Sequence, residues 1–172
     1  MTTANKITIF RVVLIPVFLA LAYAGLRYWA FAVFVLASLS DMLDGYIARH
    51  YNQITDFGKF MDPLADKVLV MAAMCFFVER GCMPGWVLAI VLLREFAVSG
   101  MRLVAVEQGR VIAAAWSGKV KTAVTMIGLC AMLLFSEYSW INLLVSLLIL
   151  LTTVYSGVEY FYKNRDVFRN VE

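Results

Sequence analysis

Four aspartates interrupt two otherwise apolar stretches, SLSDMLDGYIARHY (38–51) and GKFMDPLADK (58–67). Ionisable side chains within hydrophobic spans are costly to hold there, which makes them functional candidates. On a helix turning about 100° per residue, Asp41 and Asp44 lie roughly 60° apart and Asp62 and Asp66 roughly 40° apart. A polar connection of about a dozen residues makes the two segments antiparallel neighbours, so the pairs face each other. Four carboxylates around one small volume need charge compensation, which a divalent metal supplies. An oxygen-only donor set suits Mg²⁺, Mn²⁺ or Ca²⁺, and no His or Cys joins the aspartates to suggest zinc. The lone His50 reads as a helix-end residue. Gly45, Ala48 and Gly58 leave bare backbone beside the acids, room for a flat or phosphorylated ligand.

Plainer readings exist for the same residues. Asp62 before Pro63 has the pattern of an N-cap followed by a first-turn proline. Asp41, Asp44 and Asp66 could form salt bridges with Arg49, Lys59 or Lys67, and Asp56 reads as a solvated loop residue. A salt-bridge network alone does not explain small residues on the acid face.

The elements that position these acids are apolar helices. Of 172 residues, 63% are hydrophobic and 16% charged, which excludes an ordinary soluble domain, where charged residues are roughly a quarter. Runs such as VLVMAAMCFFV (68–78) and LLVSLLILLTTV (143–154) do not alternate, so a strand barrel is disfavoured. Polar punctuation divides the chain into six segments of about the 20 residues that cross a bilayer. They lie near 7–26, 28–49, 62–79, 84–108, 117–136 and 140–162. The first carries no small-residue cleavage site and is read as retained. The expectation is an all-α integral membrane protein with one membrane domain over 1–172. Cys75, Cys82 and Cys130 form no CxxC pair and suggest no disulfide framework.

With six spans, 13 of the 15 Lys and Arg lie on or toward the face shared by both termini, and only Arg27 and Arg80 lie opposite. The positive-inside rule makes that shared face cytoplasmic. The net charge of +3 is small and supports no nucleic-acid partner.

As one string, residues 41–66 read D-x-x-D-G-x-x-A-R, eight residues, then G-x-x-x-D-x-x-x-D. This resembles the signature of the CDP-alcohol phosphatidyltransferases, with Asp41, Asp44, Gly45, Ala48, Arg49, Gly58, Asp62 and Asp66 at the defining positions. NKITIFRVVLIPVF (5–18), REFAVSGMRLVAVEQG (94–109), SGKVKTAVTM (117–126) and SGVEYFYKNRDVF (156–168) resemble the members that use glycerol 3-phosphate. The resemblance implies that family's six-helix fold and transfer of a phosphatidyl group from CDP-diacylglycerol to glycerol 3-phosphate, with release of CMP. It implies two Mg²⁺ or Mn²⁺ ions on Asp41, Asp44, Asp62 and Asp66, with Asp66 as general base. The CDP group would lie against Asp41, Asp44, Gly45, Ala48, Arg49, Gly58 and Asp62. It further implies a homodimer in the bacterial cytoplasmic membrane, in contact with membrane lipids, its site toward the cytoplasm.

A dianionic acceptor calls for a cationic pocket near the aspartates. Arg94, Arg102, Lys119 and Lys121 lie in or at the ends of two spans, where mere anchors would snorkel outward. Arg94 and Arg102 are about 80° apart on a helix and can face one cavity. Arg11 could line it from the first span, and Arg94 could instead pair with Glu95 of a neighbouring helix or subunit. Rival functions are the same chemistry with an inositol phosphate, serine or phosphatidylglycerol acceptor, an ion or proton transporter, and a membrane scaffold. The acids crowd one interface with no relay in the other spans, which argues against transport.

Overall fold

The structure is a computed structural model that describes residues 3–50, 56–110, 112–113 and 115–168, with side chains at 9–40, 67–110, 112–113 and 115–167. All regular structure among these residues is helical: α1 Thr3–Tyr23, α2 Arg27–His50, α3 Asp56–Glu79, α4 Gly85–Glu107, α5 Trp116–Phe135, α6 Ser139–Lys163 and a 3₁₀ turn, Arg165–Phe168.

Three of the helices stop in the same way. Gly25, Gly81 and Gly109 follow α1, α3 and α4 with φ of 76°, 70° and 72°, the left-handed region where a Cβ is disfavoured. The next amides reach back five residues: Leu26 to Leu21 at 3.0 Å, Cys82 to Phe77 at 2.9 Å and Arg110 to Ala105 at 2.8 Å. Each glycine thus closes a Schellman-type cap and reverses the chain.

The helices correspond in number and order to the six expected segments, with one correction. α3 begins at Asp56, so Asp56 is its first residue and not a loop residue, Asp62 and Pro63 lie within it, and the N-cap reading of Asp62 is overturned. Helical backbone thereby runs through both halves of the aspartate string.

α1 packs on α2 and α3, α5 on α6 and α2, and α4 mainly on α6, while α2 and α3 also touch. The main core holds Phe18, Phe34, Leu69, Met74, Phe77, Leu129 and Ile149. Phe18 and Phe34 meet with ring centroids 5.5 Å apart. Large apolar side chains also face outward: Leu93, Phe96, Ile127, Leu151 and Val158 are 63–73% exposed. Apolar surface this extensive fits a lipid environment. α5 and α6 are long and apolar enough to cross a membrane.

At the end bearing the α1–α2, α3–α4 and α5–α6 turns, Arg27 Nη1 donates to Glu137 Oε1 at 2.5 Å. Arg80 lies over the Phe76 ring. Tyr28, Trp29, Trp86 and Trp140 are exposed there, as expected of an interfacial belt.

Candidate active site

α2 carries Asp41, Asp44, Gly45, Ala48 and Arg49 on helical backbone, and α3 carries Gly58, Asp62 and Asp66. Their side chains lie outside the described residues, so the expected metal and CDP contacts do as well. Among the described residues there is no group of three or more His, Cys, Asp or Glu able to hold a metal.

Next to these positions the helices border an open cavity of about 650 Å³. Its wall includes Ser38, one turn before Asp41, and Lys67, directly after Asp66. Arg94, Arg102, Lys119 and Lys121 also line it, so all four cations expected of the acceptor pocket share one space. Arg11 is fully buried in α1 and is not one of the lining residues, so it does not line this cavity as expected from the sequence.

Arg94 reaches the wall through a slot between helices. A Cβ at Gly157 of α6 would meet Arg94 Cγ at 3.2 Å, and one at Gly118 of α5 would meet Arg94 Nη2 at 3.5 Å. Arg94 Nη1 donates to Glu95 Oε1 at 2.9 Å, a pairing with the next residue of its own helix and not with Glu95 of a neighbouring helix or subunit. It does not remove Arg94 from the cavity, and its buried Nε has no hydrogen-bond partner among the described residues.

Arg102 is held differently. Its Nε donates to Tyr160 Oη at 3.1 Å, and its guanidinium carbon lies 5.5 Å from that ring's centroid. Lys119 Nζ stands 6.0 Å from the centroid of Trp116. Both aromatic rings attract the cations without neutralising them.

Sequence reasoning overlooked Lys67 and Glu95 as parts of this wall. Lys67 Nζ donates to Ser99 Oγ at 2.5 Å and lies 3.9 Å from Glu95 Oε2. Lys121 Nζ donates to Glu95 Oε1 at 2.7 Å. The available signal was Glu95 itself, an acid within an apolar run beside Arg94. Among its described lining residues the cavity has five cationic side chains and one carboxylate, a setting for a phosphorylated anion.

Residues 1–155 match the family model described as CDP-alcohol phosphatidyltransferase. The chain belongs to this family. It is similar to the CDP-diacylglycerol–glycerol-3-phosphate 3-phosphatidyltransferase of Bacillus subtilis strain 168, at 38% identity over 96% of each chain. It is 37% identical to the protein of the same name from Escherichia coli K12, over 91% of this chain and 82% of that one. The family match contains both halves of the aspartate string and the four expected cations. Gly157 and Tyr160, which abut Arg94 and Arg102, lie beyond it.

Proposed function

We propose that this protein transfers the phosphatidyl group of CDP-diacylglycerol to glycerol 3-phosphate, giving phosphatidylglycerophosphate and CMP. The observation that carries the acceptor is the cavity lined by Arg94, Arg102, Lys119 and Lys121 beside the aspartate-bearing helices. A phosphate monoester is a dianion, and arginine with lysine in a recessed wall binds it through charge-assisted hydrogen bonds.

In this reading Asp66 accepts the proton of the attacking glycerol hydroxyl. The hydroxyl oxygen bonds to the phosphatidyl phosphorus, the bond from that phosphorus to the CMP oxygen breaks, and CMP leaves with the electron pair. Gly45, Ala48, Arg49 and Gly58 receive the cytidine end, and the acyl tails remain in lipid. Asp41, Asp44, Asp62 and Asp66 form a hard, oxygen-only donor set that fits two Mg²⁺ or Mn²⁺ ions. Such ions, when bound, neutralise the pyrophosphate and the charge developing on the leaving group. The cavity cations orient the acceptor, and positioning supplies much of the rate.

The reading includes six membrane-crossing helices, with the aspartates and the cavity at the cytoplasmic end. It rests on the Lys/Arg asymmetry and the outward apolar faces of α4, α5 and α6. The homodimer implied by the family resemblance belongs to the same proposal.

The test is CMP release from CDP-diacylglycerol by purified protein, with and without glycerol 3-phosphate, and with inositol phosphate, serine or phosphatidylglycerol as competing acceptors. Glycerol 3-phosphate should stimulate release most. Stronger stimulation by another acceptor would overturn the assignment, and full turnover in excess chelator would sink the metal requirement.

A further inference from the structure

We infer that Glu95 is a positioning residue for the acceptor, a built-in counter-ion that holds Arg94 and Lys121 in one arrangement before the anion enters. The inference rests on the acceptor reading above. Glu95 Oε1 accepts from Arg94 Nη1 at 2.9 Å and from Lys121 Nζ at 2.7 Å. The three side chains are shielded, with exposures of 14% for Arg94, 13% for Glu95 and 6% for Lys121. Two cations this close repel in a low-dielectric setting unless a carboxylate lies between them. Glu95 Oε2 adds a longer contact of 3.9 Å to Lys67. One acid in α4 therefore gathers cations from α3, α4 and α5.

The hold is directional. Glu95 takes Arg94 by Nη1 and leaves Nε without a partner among the described residues. The slot at Gly118 and Gly157 confines the rest of that side chain. With Nη1 fixed by Glu95 and the stem against Gly157, the orientation of the planar guanidinium is set in advance. α4 and α5 otherwise pack mainly on α6 rather than on each other, so the Glu95–Lys121 bond is what ties their cations together.

Removing the carboxylate charge has two opposing effects. It takes a negative charge away from the path of an incoming anion, and it frees two cations to move apart. The carboxylate already accepts two short hydrogen bonds, and five cations line the cavity. Residual repulsion of the anion is therefore the smaller effect, and loss of geometry wins.

The experiment is steady-state kinetics in mixed micelles on wild type, Glu95→Gln, Glu95→Asp, Lys121→Met and the double variant Glu95→Gln/Lys121→Met. Glu95→Gln should raise the KM for glycerol 3-phosphate by about tenfold and leave that for CDP-diacylglycerol within about twofold. Glu95→Asp keeps the charge and should recover part of the loss, and it carries the test if the glutamine variant does not fold. In the Lys121→Met background Glu95→Gln should add little, since contacting groups that act together are non-additive. An unchanged or lowered acceptor KM in Glu95→Gln overturns the inference, as does an equal loss for both substrates or full additivity in the double variant. Equilibrium binding of inorganic phosphate to the same micellar proteins separates this inference from the functional reading. Weaker binding by Glu95→Gln is expected, and unchanged binding defeats the positioning role. Wild-type protein that ignores glycerol 3-phosphate in turnover would instead defeat the acceptor assignment.

Discussion

Gly128 of α5 faces Val145 of α6 so closely that a Cβ at position 128 would come within 2.7 Å of Val145 Cγ1. The absence of a side chain at Gly128 sets the approach of α5 to α6, the helices that bring Gly118 and Gly157 to either side of Arg94. Gly128→Ala should therefore destabilise the fold by about 1–3 kcal/mol, the usual cost of overpacking. Thermal unfolding in detergent checks this. Adding Val145→Ala should recover part of the loss, and a melting temperature unchanged by Gly128→Ala would show that the two helices separate freely.

Arg102→Gln should weaken glycerol 3-phosphate use by about tenfold to hundredfold, the equivalent of a charge-assisted contact worth roughly 1.5–3 kcal/mol. The substitution keeps a polar, unbranched side chain while deleting charge. CDP-diacylglycerol kinetics should change much less. Equal losses on both substrates would assign Arg102 to the donor or to stability, and an unchanged acceptor constant would make it a plain partner of Tyr160.

Asp66→Asn removes a proton acceptor and a metal ligand in the proposed mechanism but little volume. Transfer should be abolished while gel filtration and melting stay close to wild type. Turnover near normal would take Asp66 out of the chemistry.

Arg110 Nη1 donates to Asp166 Oδ2 at 2.5 Å, linking the turn after α4 to the 3₁₀ turn after α6. That hydrogen bond, ahead of a backbone one, holds the Asp166 carboxyl below its ordinary range. A carboxyl depressed in the folded state contributes stability above its unfolded value, near 4, and loses it as pH falls through the lower folded value. Both side chains are about half exposed, so the contribution is small. The sharper check is a carboxyl titration by NMR, in which Arg110→Gln should move the Asp166 midpoint upward.

The aspartate string was legible because its spacing is local. Asp41 and Asp44, or Asp62 and Asp66, share a helical face by periodicity alone, and 26 consecutive residues carry the whole signature. Helix number was legible for a similar reason, since continuous apolar runs of bilayer length admit few other structures. The excess of cations at one end was readable from topology and charge. Where α3 starts was not, because Asp-Pro resembles a helix beginning and only packing decides whether the helix extends past it. The arrangement of the cations also lay beyond the sequence. Glu95 meets Lys121 across 26 residues, and Arg102 meets Tyr160 across 58. Such contacts depend on how helices rotate and approach one another, which is set by close packing such as Gly128 against Val145 and by the slot that Gly157 leaves for Arg94. Residue types alone place an excess of cations at one end of the helices; the tertiary structure decides which of them Glu95 gathers and which stand against aromatic rings.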